Sequence, residues 1–356
     1  MRLRLIQLRP LPSYRLAAAV QELVRRQFLL AKESEAQIRR QGLSKSIAAT
    51  ADPSHDIPFS SPILPPPPTV IAFTPQPTFT LGRRQETSQL SSVEIDRLTA
   101  PLTVPPPQSL SQTAVRFEPT IVSTLRGGLT TYHGPGQVVL WPVLDLKSPL
   151  FANNGRPPLT VRAYSRLLET TTAEVLKRRF GLDAYTTGDP GLWVQSPQAA
   201  GRTNSTAAVF TGTEERKIAA LGVHLRRNIS ALGVAVNLDT AVKWGTSNDP
   251  AQRASAEATA EETNPWVRFT PCGIEGKGVS SVADEGRLRF GIHNGNGLPA
   301  SWDLRPKPFA AKWAAAFAVQ LGLQDPVIDV ADSKSVADML VDAEELLRAT
   351  ESKEAE

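Results

Sequence analysis

Apolar and polar residues alternate over Leu3–Leu8, which predicts a β-strand. From Tyr14 to about Glu35 the period lengthens. Leu16, Val20, Leu23 and Leu30 fall near helical spacing, and Ser13 stands where a helix N-cap is expected. Residues 36–67 lose the pattern and are rich in Ser, Ala and Pro, ending in Pro65-Pro66-Pro67-Pro68; irregular structure is expected there. Val70–Thr74 reads as a strand closed by Pro75 and Pro77. Residues 86–118 are again polar and proline-rich, with a short helix expected near Ser92–Leu98.

The centre of the chain is denser. Ile121–Leu125 and Val138–Leu144 read as strands on either side of a glycine-rich stretch. Val161, Tyr164, Leu167, Leu168, Val175 and Leu176 share one face of a helix over Thr160–Arg179, with Gly181 as its stop. Leu192–Gln195, Lys217–Leu225 and Gly233–Leu238 read as strands, the last two joined by a turn around Arg227–Ala231. Thr270–Gly278 reads as a loop, and Pro308–Leu321 as an amphipathic helix stopped by Gly322. Residues 325–356 form an acidic, helix-prone tail in which Val336–Leu347 is the expected helix. No internal repeat is present. Mixed strands and helices place the chain in the α/β (α+β) class, with a single mixed sheet flanked by helices. The organisation expected is one catalytic domain over 1–324, with insertions near 36–67, 86–118, 196–215 and 243–265, followed by the 325–356 tail.

Composition narrows the function. The 356 residues are 41% hydrophobic, enough for a sizeable core, and contain 30 prolines, too many for one compact core without insertions. No run of about 18 apolar residues suggests a membrane span. The formal net charge of +4 suits an acidic protein partner, and no RNA-binding or zinc-finger pattern points to nucleic acid. A single cysteine excludes an internal disulfide framework. Arg2, Arg4, Arg9 and Arg15 precede the first acidic residue, Glu22. That start resembles a mitochondrial presequence, and reads equally as the first strand and helix of the fold.

Three segments could carry chemistry. Arg126-Gly127-Gly128-Leu129-Thr130-Thr131-Tyr132-His133-Gly134-Pro135-Gly136-Gln137 has four glycines that let backbone approach a ligand, although alone it could be a tight turn between strands. It matches neither a P-loop nor a dinucleotide fingerprint. Lys217 opens the apolar strand Lys217-Ile218-Ala219-Ala220-Leu221-Gly222. It is either an ordinary edge charge or, near a thiol, a group whose charge favours thiolate. Pro271-Cys272-Gly273-Ile274 puts the lone cysteine on a turn, where it is better placed to react than in a strand interior. His55, His133, His224 and His293 show no metal-ligand spacing, and no Gly-x-Ser-x-Gly elbow is present.

Taken in order, these segments resemble the lipoyl(octanoyl) transferase family. The match runs through Arg126–Gln137, Lys217–Gly222, Ala235-Val236-Asn237-Leu238 and Pro271–Ile274, and is supported by Phe79-Thr80-Leu81-Gly82-Arg83 and Trp141-Pro142-Val143-Leu144-Asp145-Leu146. The resemblance implies the biotin and lipoate protein ligase fold. It implies transfer of an octanoyl group from octanoyl-acyl carrier protein to a lysine of lipoyl domains, those of 2-oxoacid dehydrogenase complexes and of glycine cleavage H protein, without a cofactor. It assigns Cys272 as nucleophile and Lys217 as the residue that lowers its pKa and serves as acid/base. Arg126, Gly127, Gly128, Leu129, Thr130, Thr131, Tyr132 and His133 would line the pocket, completed by Ala220, Leu221, Gly222, Gly233, Val234 and Ala235. Mitochondrial residence is expected where such acceptors work; a start that is not a presequence would leave the protein cytoplasmic.

Two positions depart from the family pattern. Leu129 stands where Asp or Gln is usual, and Leu232-Gly233 where His-Gly is frequent, so a histidine's polar role there is lost or moved to His224. The nearest rival is an ATP-dependent lipoate–protein ligase of the same fold, which needs no cysteine. An amidotransferase that moves octanoyl between protein domains fits the motif order less well. A non-catalytic acyl-binding protein would have no reason to retain both Lys217 and Cys272.

Overall fold

The structure is a computed structural model. It describes residues 2–48, 63–104, 114–148, 151, 155, 157–195, 215–240, 260–269, 278–290, 292, 297–323, 328–330 and 333–354. The chain runs β1 (Leu3–Gln7), α1 (Tyr14–Ala48), β2 (Thr69–Phe73), β3 (Thr78–Leu81), α2 (Ser92–Thr99), β4 (Leu102–Val104), β5 (Val115–Phe117), β6 (Thr120–Ser123), β7 (Thr131–His133) and β8 (Gln137–Val143). It continues through α3 (Val161–Phe180), β9 (Leu192–Gln195), β10 (Glu215–Arg226), β11 (Ile229–Asn237), β12 (Gly278–Val279), α4 (Val282–Phe290), α5 (Pro306–Gln320), β13 (Ile328–Val330) and α6 (Ser333–Glu354).

The expected mixed sheet is eight-stranded, in the order β12-β10-β11-β8-β2-β1-β13, with β9 also pairing β10. β10, β11, β8 and β2 pair antiparallel in succession, whereas β1 lies parallel between β2 and β13. Two small sheets accompany it, β6-β3-β7 and β4-β5. Helices cover both faces. On one, Leu168, Val175 and Leu176 of α3 and Phe309, Trp313 and Phe317 of α5 pack against Leu5, Val70, Leu140 and Val236. On the other, Val20, Val24 and Phe28 of α1 and Leu340 and Ala343 of α6 pack against Ile6, Ile71, Trp141 and Ala235. Alternating strand residues feed opposite cores, which is why the strands read as almost continuous apolar runs. A third cluster, Phe79, Leu98, Leu102, Tyr132, Trp266 and Val279, lies under the small β6-β3-β7 sheet.

Local chemistry explains the element ends. The Ser13 hydroxyl accepts the Leu16 N–H at 3.1 Å, and the Thr160 hydroxyl accepts the Ala163 N–H at 3.1 Å. Ser91 and Glu94 form a reciprocal capping box at the start of α2. Gly181 ends α3 in the left-handed conformation.

Some expectations are corrected. α1 continues to Ala48, so the first third of the 36–67 stretch is helical; its Arg, Gln and Lys content favours a helix where the lost apolar period suggested none. The Arg-rich start builds β1 and the first turns of α1. The 86–118 stretch holds the expected short helix as α2 and adds β4 and β5, which were not expected. Residues 325–356 contribute β13 and α6, which pair with β1 and pack beside α1. Strands β3, β7, β12 and β13 were not read from the sequence, being two to four residues long, and in α4 charged residues and Gly286 interrupt any apolar stripe. The expected loop 270–277 and the insertion residues 196–214 and 241–259 lie outside the described residues. No described helix is long and apolar enough to cross a membrane.

Candidate active site

The glycine-rich stretch begins beside β3 and ends at β8. β7 pairs antiparallel with β3, so that Phe79 faces Tyr132 and Thr78 faces His133. Arg83 N–H donates to the Arg126 carbonyl at 2.9 Å, fixing the turn before β7 against the end of β3. Gly82 permits this approach: a Cβ there would lie 2.2 Å from the Gly128 carbonyl oxygen. The Arg126 side chain is buried. Its Nη2 donates to the Thr80 carbonyl at 2.6 Å and the Thr80 hydroxyl at 2.9 Å. Its aliphatic stem crosses Gly222, where a Cβ would lie 2.8 Å from Arg126 Cδ. The Arg-Gly-Gly stretch and the Lys-Ile-Ala-x-Leu-Gly strand therefore meet at Gly222.

β10 and β11 place Ala220 opposite Ala235, Leu221 opposite Val234 and Gly222 opposite Gly233. Ala235 belongs to the core under α1, on the side where Arg126 lies over Gly222. Leu221 and Val234 face the core under α3 and α5 instead, away from Arg126. Tyr132 likewise packs into the third cluster, its ring 5.3 Å from Phe79 and 5.5 Å from Trp266. Gly127 is exposed, Gly128 and Leu129 are half-buried, and Thr130 and Thr131 are buried. The Thr130 backbone and hydroxyl both donate to Gln85 Oε1, at 3.0 and 2.6 Å.

His133 is buried and stacks on Tyr14 of α1 with ring centroids 5.5 Å apart. Burial, reinforced by the charge of Arg126 and opposed by the Gln137 hydrogen bond, pushes its pKa down to about 4, so the imidazole is neutral at pH 7. Nδ1 is 2.9 Å from Gln137 Oε1. Gln137 Nε2 donates to Asn237 Oδ1 at 2.8 Å, and Asn237 Nδ2 donates to the Ser280 carbonyl at 2.9 Å. A buried polar chain thus joins the glycine-rich motif, the end of β11 and the residue after β12.

Lys217 closes the arrangement. It is 6% exposed, and Nζ lies 4.6 Å from the centroid of the Trp193 ring on β9. Its carbonyl accepts the Ser280 N–H at 3.0 Å, and Lys217 pairs with Val279 of β12. Next to it, Arg216 forms a buried ion pair with Glu285 of α4 at 2.8 Å, and the Ser280 hydroxyl also reaches Glu285. Cys272, the expected nucleophile, lies outside the described residues. Its segment leaves Phe269, whose ring is 5.5 Å from Phe79, and re-enters at Gly278, which pairs with Arg216. Both ends of that segment are anchored at the site: one at the small sheet beside Tyr132, the other on the strand that carries Lys217. His293 is likewise outside the described residues.

The fragments that converge here match one family. The sequence model of the lipoyl protein ligase A/B catalytic domain matches residues 62–293, well over half of the chain. The chain belongs to this family. Relatives named octanoyltransferases match within it, and the chain is an acyltransferase. A probable octanoyltransferase of Schizosaccharomyces pombe is 31% identical over 62% of this chain and 70% of its own length. A mitochondrial octanoyl-[acyl-carrier-protein]:protein N-octanoyltransferase of Danio rerio is 28% identical over 62% of this chain and 68% of its own length. An octanoyltransferase of Acidobacterium capsulatum is 43% identical over 44% of this chain and 50% of its own length. A solved bi-partite lipoate protein ligase of Thermoplasma acidophilum superposes with a TM-score of 0.47 at 14% identity, covering 98% of this chain and 92% of that one. No residue role follows from so distant a superposition.

Four residues at the family site escape a reading of the sequence alone: Tyr14, Gln137, Trp193 and Asn237. Gln137 and Asn237 left a trace, as amides at the ends of otherwise apolar strands. Tyr14 and Trp193 left none, because each reaches the site from an element distant in sequence. A cavity of about 220 Å³ opens elsewhere, between α1 and the chain after β8, lined by Phe28, Leu144, Phe151 and Leu323 with the Lys32–Asp145 ion pair. None of the expected catalytic or pocket residues lines it, so converging side chains locate the site rather than cavity size.

Proposed function

We propose that the chain transfers an octanoyl group from octanoyl-acyl carrier protein to the acceptor lysine of lipoyl domains, through a thioester on Cys272. The carrying observation is the placement of Lys217, buried on β10 and in register with β12, the strand by which the Cys272 segment returns to the sheet. A positive charge beside a thiol favours thiolate. The thiolate attacks the carrier thioester, its sulfur–carbonyl bond forms, and the carrier sulfur leaves and takes a proton. The acceptor amine, neutral when it attacks, then takes the acyl group and Cys272 is released. Lys217 accepts and returns the proton, a role that contributes about 10²–10⁴-fold when the group is positioned. The donor thioester is already activated, which removes any need for ATP. The pocket residues are proposed to be Arg126–Thr131 and His133 with Ala220, Gly222, Gly233 and Ala235, while Leu221, Val234 and Tyr132 support it from neighbouring cores. Lipoyl domains of 2-oxoacid dehydrogenase complexes and glycine cleavage H protein are the proposed acceptors. Mitochondrial residence is also proposed, supported by relatives named mitochondrial.

Intact mass after incubation with octanoyl-acyl carrier protein tests the reading. The expected result is a hydroxylamine-labile octanoyl adduct, absent in Cys272→Ser and formed at least about 10²-fold more slowly in Lys217→Ala. Transfer of free octanoate that requires ATP, with no adduct from the carrier, would show a ligase instead.

A further inference from the structure

β10 runs outward from Lys217 past Gly222 to His224 and Arg226. Beyond Gly222, the face turned to α1 becomes a cluster of donors. Gln21 and Arg25 lie one helical turn apart on α1, 5% and 8% exposed. The Gln21 side chain is held at β11, where Oε1 accepts the Leu232 N–H at 3.2 Å, and this leaves Nε2 buried without a partner among the described residues. Arg25 is held along one edge by Glu22, which accepts from Nε at 2.8 Å, while Nη1 is buried without a partner. Leu232 sits opposite Val223, one position from His224. Arg226 lies two residues beyond His224 on β10, and Arg83, just past the end of β3, is near enough to act on the same imidazole. Both are exposed, and Arg25, Arg83 and Arg226 all act on the His224 imidazole, adding to the effect of burial in keeping it uncharged. Among the described residues, neither Arg83 nor Arg226 is in an ion pair.

Two buried donors left without an acceptor are unfavourable unless something accepts from them. Three guanidiniums at one place repel one another unless an anion lies between them. The arrangement therefore calls for an acidic acceptor group. We infer that Gln21, Arg25, Arg83 and Arg226 form an anion subsite that holds the phosphate of the acyl donor's phosphopantetheine arm, with Gln21 and Arg25 beneath and Arg83 and Arg226 at the rim.

The spacing agrees. Seven strand steps separate Lys217 from His224, about 23 Å at strand rise. The arm has some thirteen bonds from phosphorus to sulfur, roughly 16 Å when extended with peptide-like dimensions. Side chains at both ends supply the remainder. Gly222 lies between the two ends with the Arg126 stem packed across it, so an arm joining them would run alongside Arg126. A phosphate here would place the thioester near Lys217, so the inference rests on the acyl-transfer reading above.

The test compares octanoyl-phosphopantetheine with octanoyl-pantetheine, which differs only in lacking the phosphate. The rate of Cys272 acylation is read by intact mass for the full chain and for Gln21→Glu and Arg25→Gln. Gln21→Glu keeps the acceptor for the Leu232 N–H and replaces the orphaned donor with a negative charge. Because each protein is measured with both donors, any loss of folded protein cancels in the ratio. The native chain is expected to favour the phosphorylated donor by roughly tenfold or more in kcat/KM, and both variants to bring the ratio close to one. Equal use of the donors by the native chain, or a ratio unchanged in both variants, overturns the subsite. A variant that slows acyl carrier protein but keeps the small-donor ratio also overturns it, and assigns the cluster to the carrier's acidic surface. If no donor acylates the chain, the acyl-transfer reading fails. The subsite is then decided by calorimetry with the two octanoyl-free arms, where tighter binding of the phosphorylated arm supports it and equal binding rejects it.

Discussion

His133 shows how far a residue's chemistry depends on where it is packed. As a letter in a glycine-rich stretch it reads as a residue that lines the pocket. Stacked on Tyr14 and joined to Gln137, it is a neutral structural donor or acceptor whose pKa is pushed down to about 4. In the unfolded chain the same imidazole takes a proton near pH 6.5. Between those values the unfolded state binds more protons, so folding stability is complete above about pH 6.5 and declines as pH falls towards 4. The full window corresponds to about 3 kcal/mol. Urea unfolding of the native chain and His133→Gln, followed from pH 7 to 4.5, is expected to show a shallower acid decline in the variant; parallel declines would mean the imidazole is not buried neutral. Leu232 is a second case. Its φ of +61° is rare for a residue with a Cβ, and it turns the side chain into the core under α1 while its strand partner Val223 packs on the other side. The departure from His-Gly in the family pattern was legible; that it sits at a strained backbone position was not.

Between elements, the amide chain does the joining. Asn237 stands at the end of β11 and bridges Gln137 of β8 and the Ser280 carbonyl beyond β12. β12 has only two residues and could not hold its place by ladder bonds alone. Its other anchors include the Lys217 carbonyl, the packing of Val279 in the third cluster and the neighbouring Arg216–Glu285 ion pair. Replacing Asn237 with Leu leaves Gln137 Nε2 and the Ser280 carbonyl each short of a buried partner. The expected loss is about 2–4 kcal/mol of folding stability, measured by chemical denaturation. Acyl-enzyme formation, measured below the unfolding transition, should slow at least tenfold; an unchanged acylation rate would show that the bridge does not position the site. The major strands and helices of the central fold were legible because each buries a face long enough to show its period. β3, β7 and β12, which frame the site, were not, because two to four residues carry no period.

On the scale of the whole molecule, the end of the chain closes the fold begun by its start. β13 pairs parallel with β1, and α6 lays Leu340 and Ala343 into the core beneath α1. Ala343 is fully buried. Ala343→Asp would place an unpaired carboxylate in that core, a change expected to cost several kcal/mol or to detach α6. Limited proteolysis should then cut within 331–356 while the remainder stays resistant; an unchanged cleavage pattern would show that α6 contributes little to the core. Acidic composition made this segment look like a tail because its apolar residues are few. They fall on one helical stripe, which is sufficient for docking.

The sequence by itself determined the family, the order of the motifs, the pairing of a lone cysteine with a strand lysine as candidate chemistry, and the longest elements. These properties are local: they reside in residue identity and in periods of two or 3.6 residues. Only the tertiary structure decided which members of each motif share a face, that Leu221, Val234 and Tyr132 turn away from Arg126, that Tyr14 and Trp193 reach the site, and that Gln21 and Arg25 are left with unused donors. Those outcomes depend on contacts between separate segments, from Trp193 with Lys217 to Gln21 with Leu232, where register and burial, rather than spacing along the chain, set each side chain's neighbours.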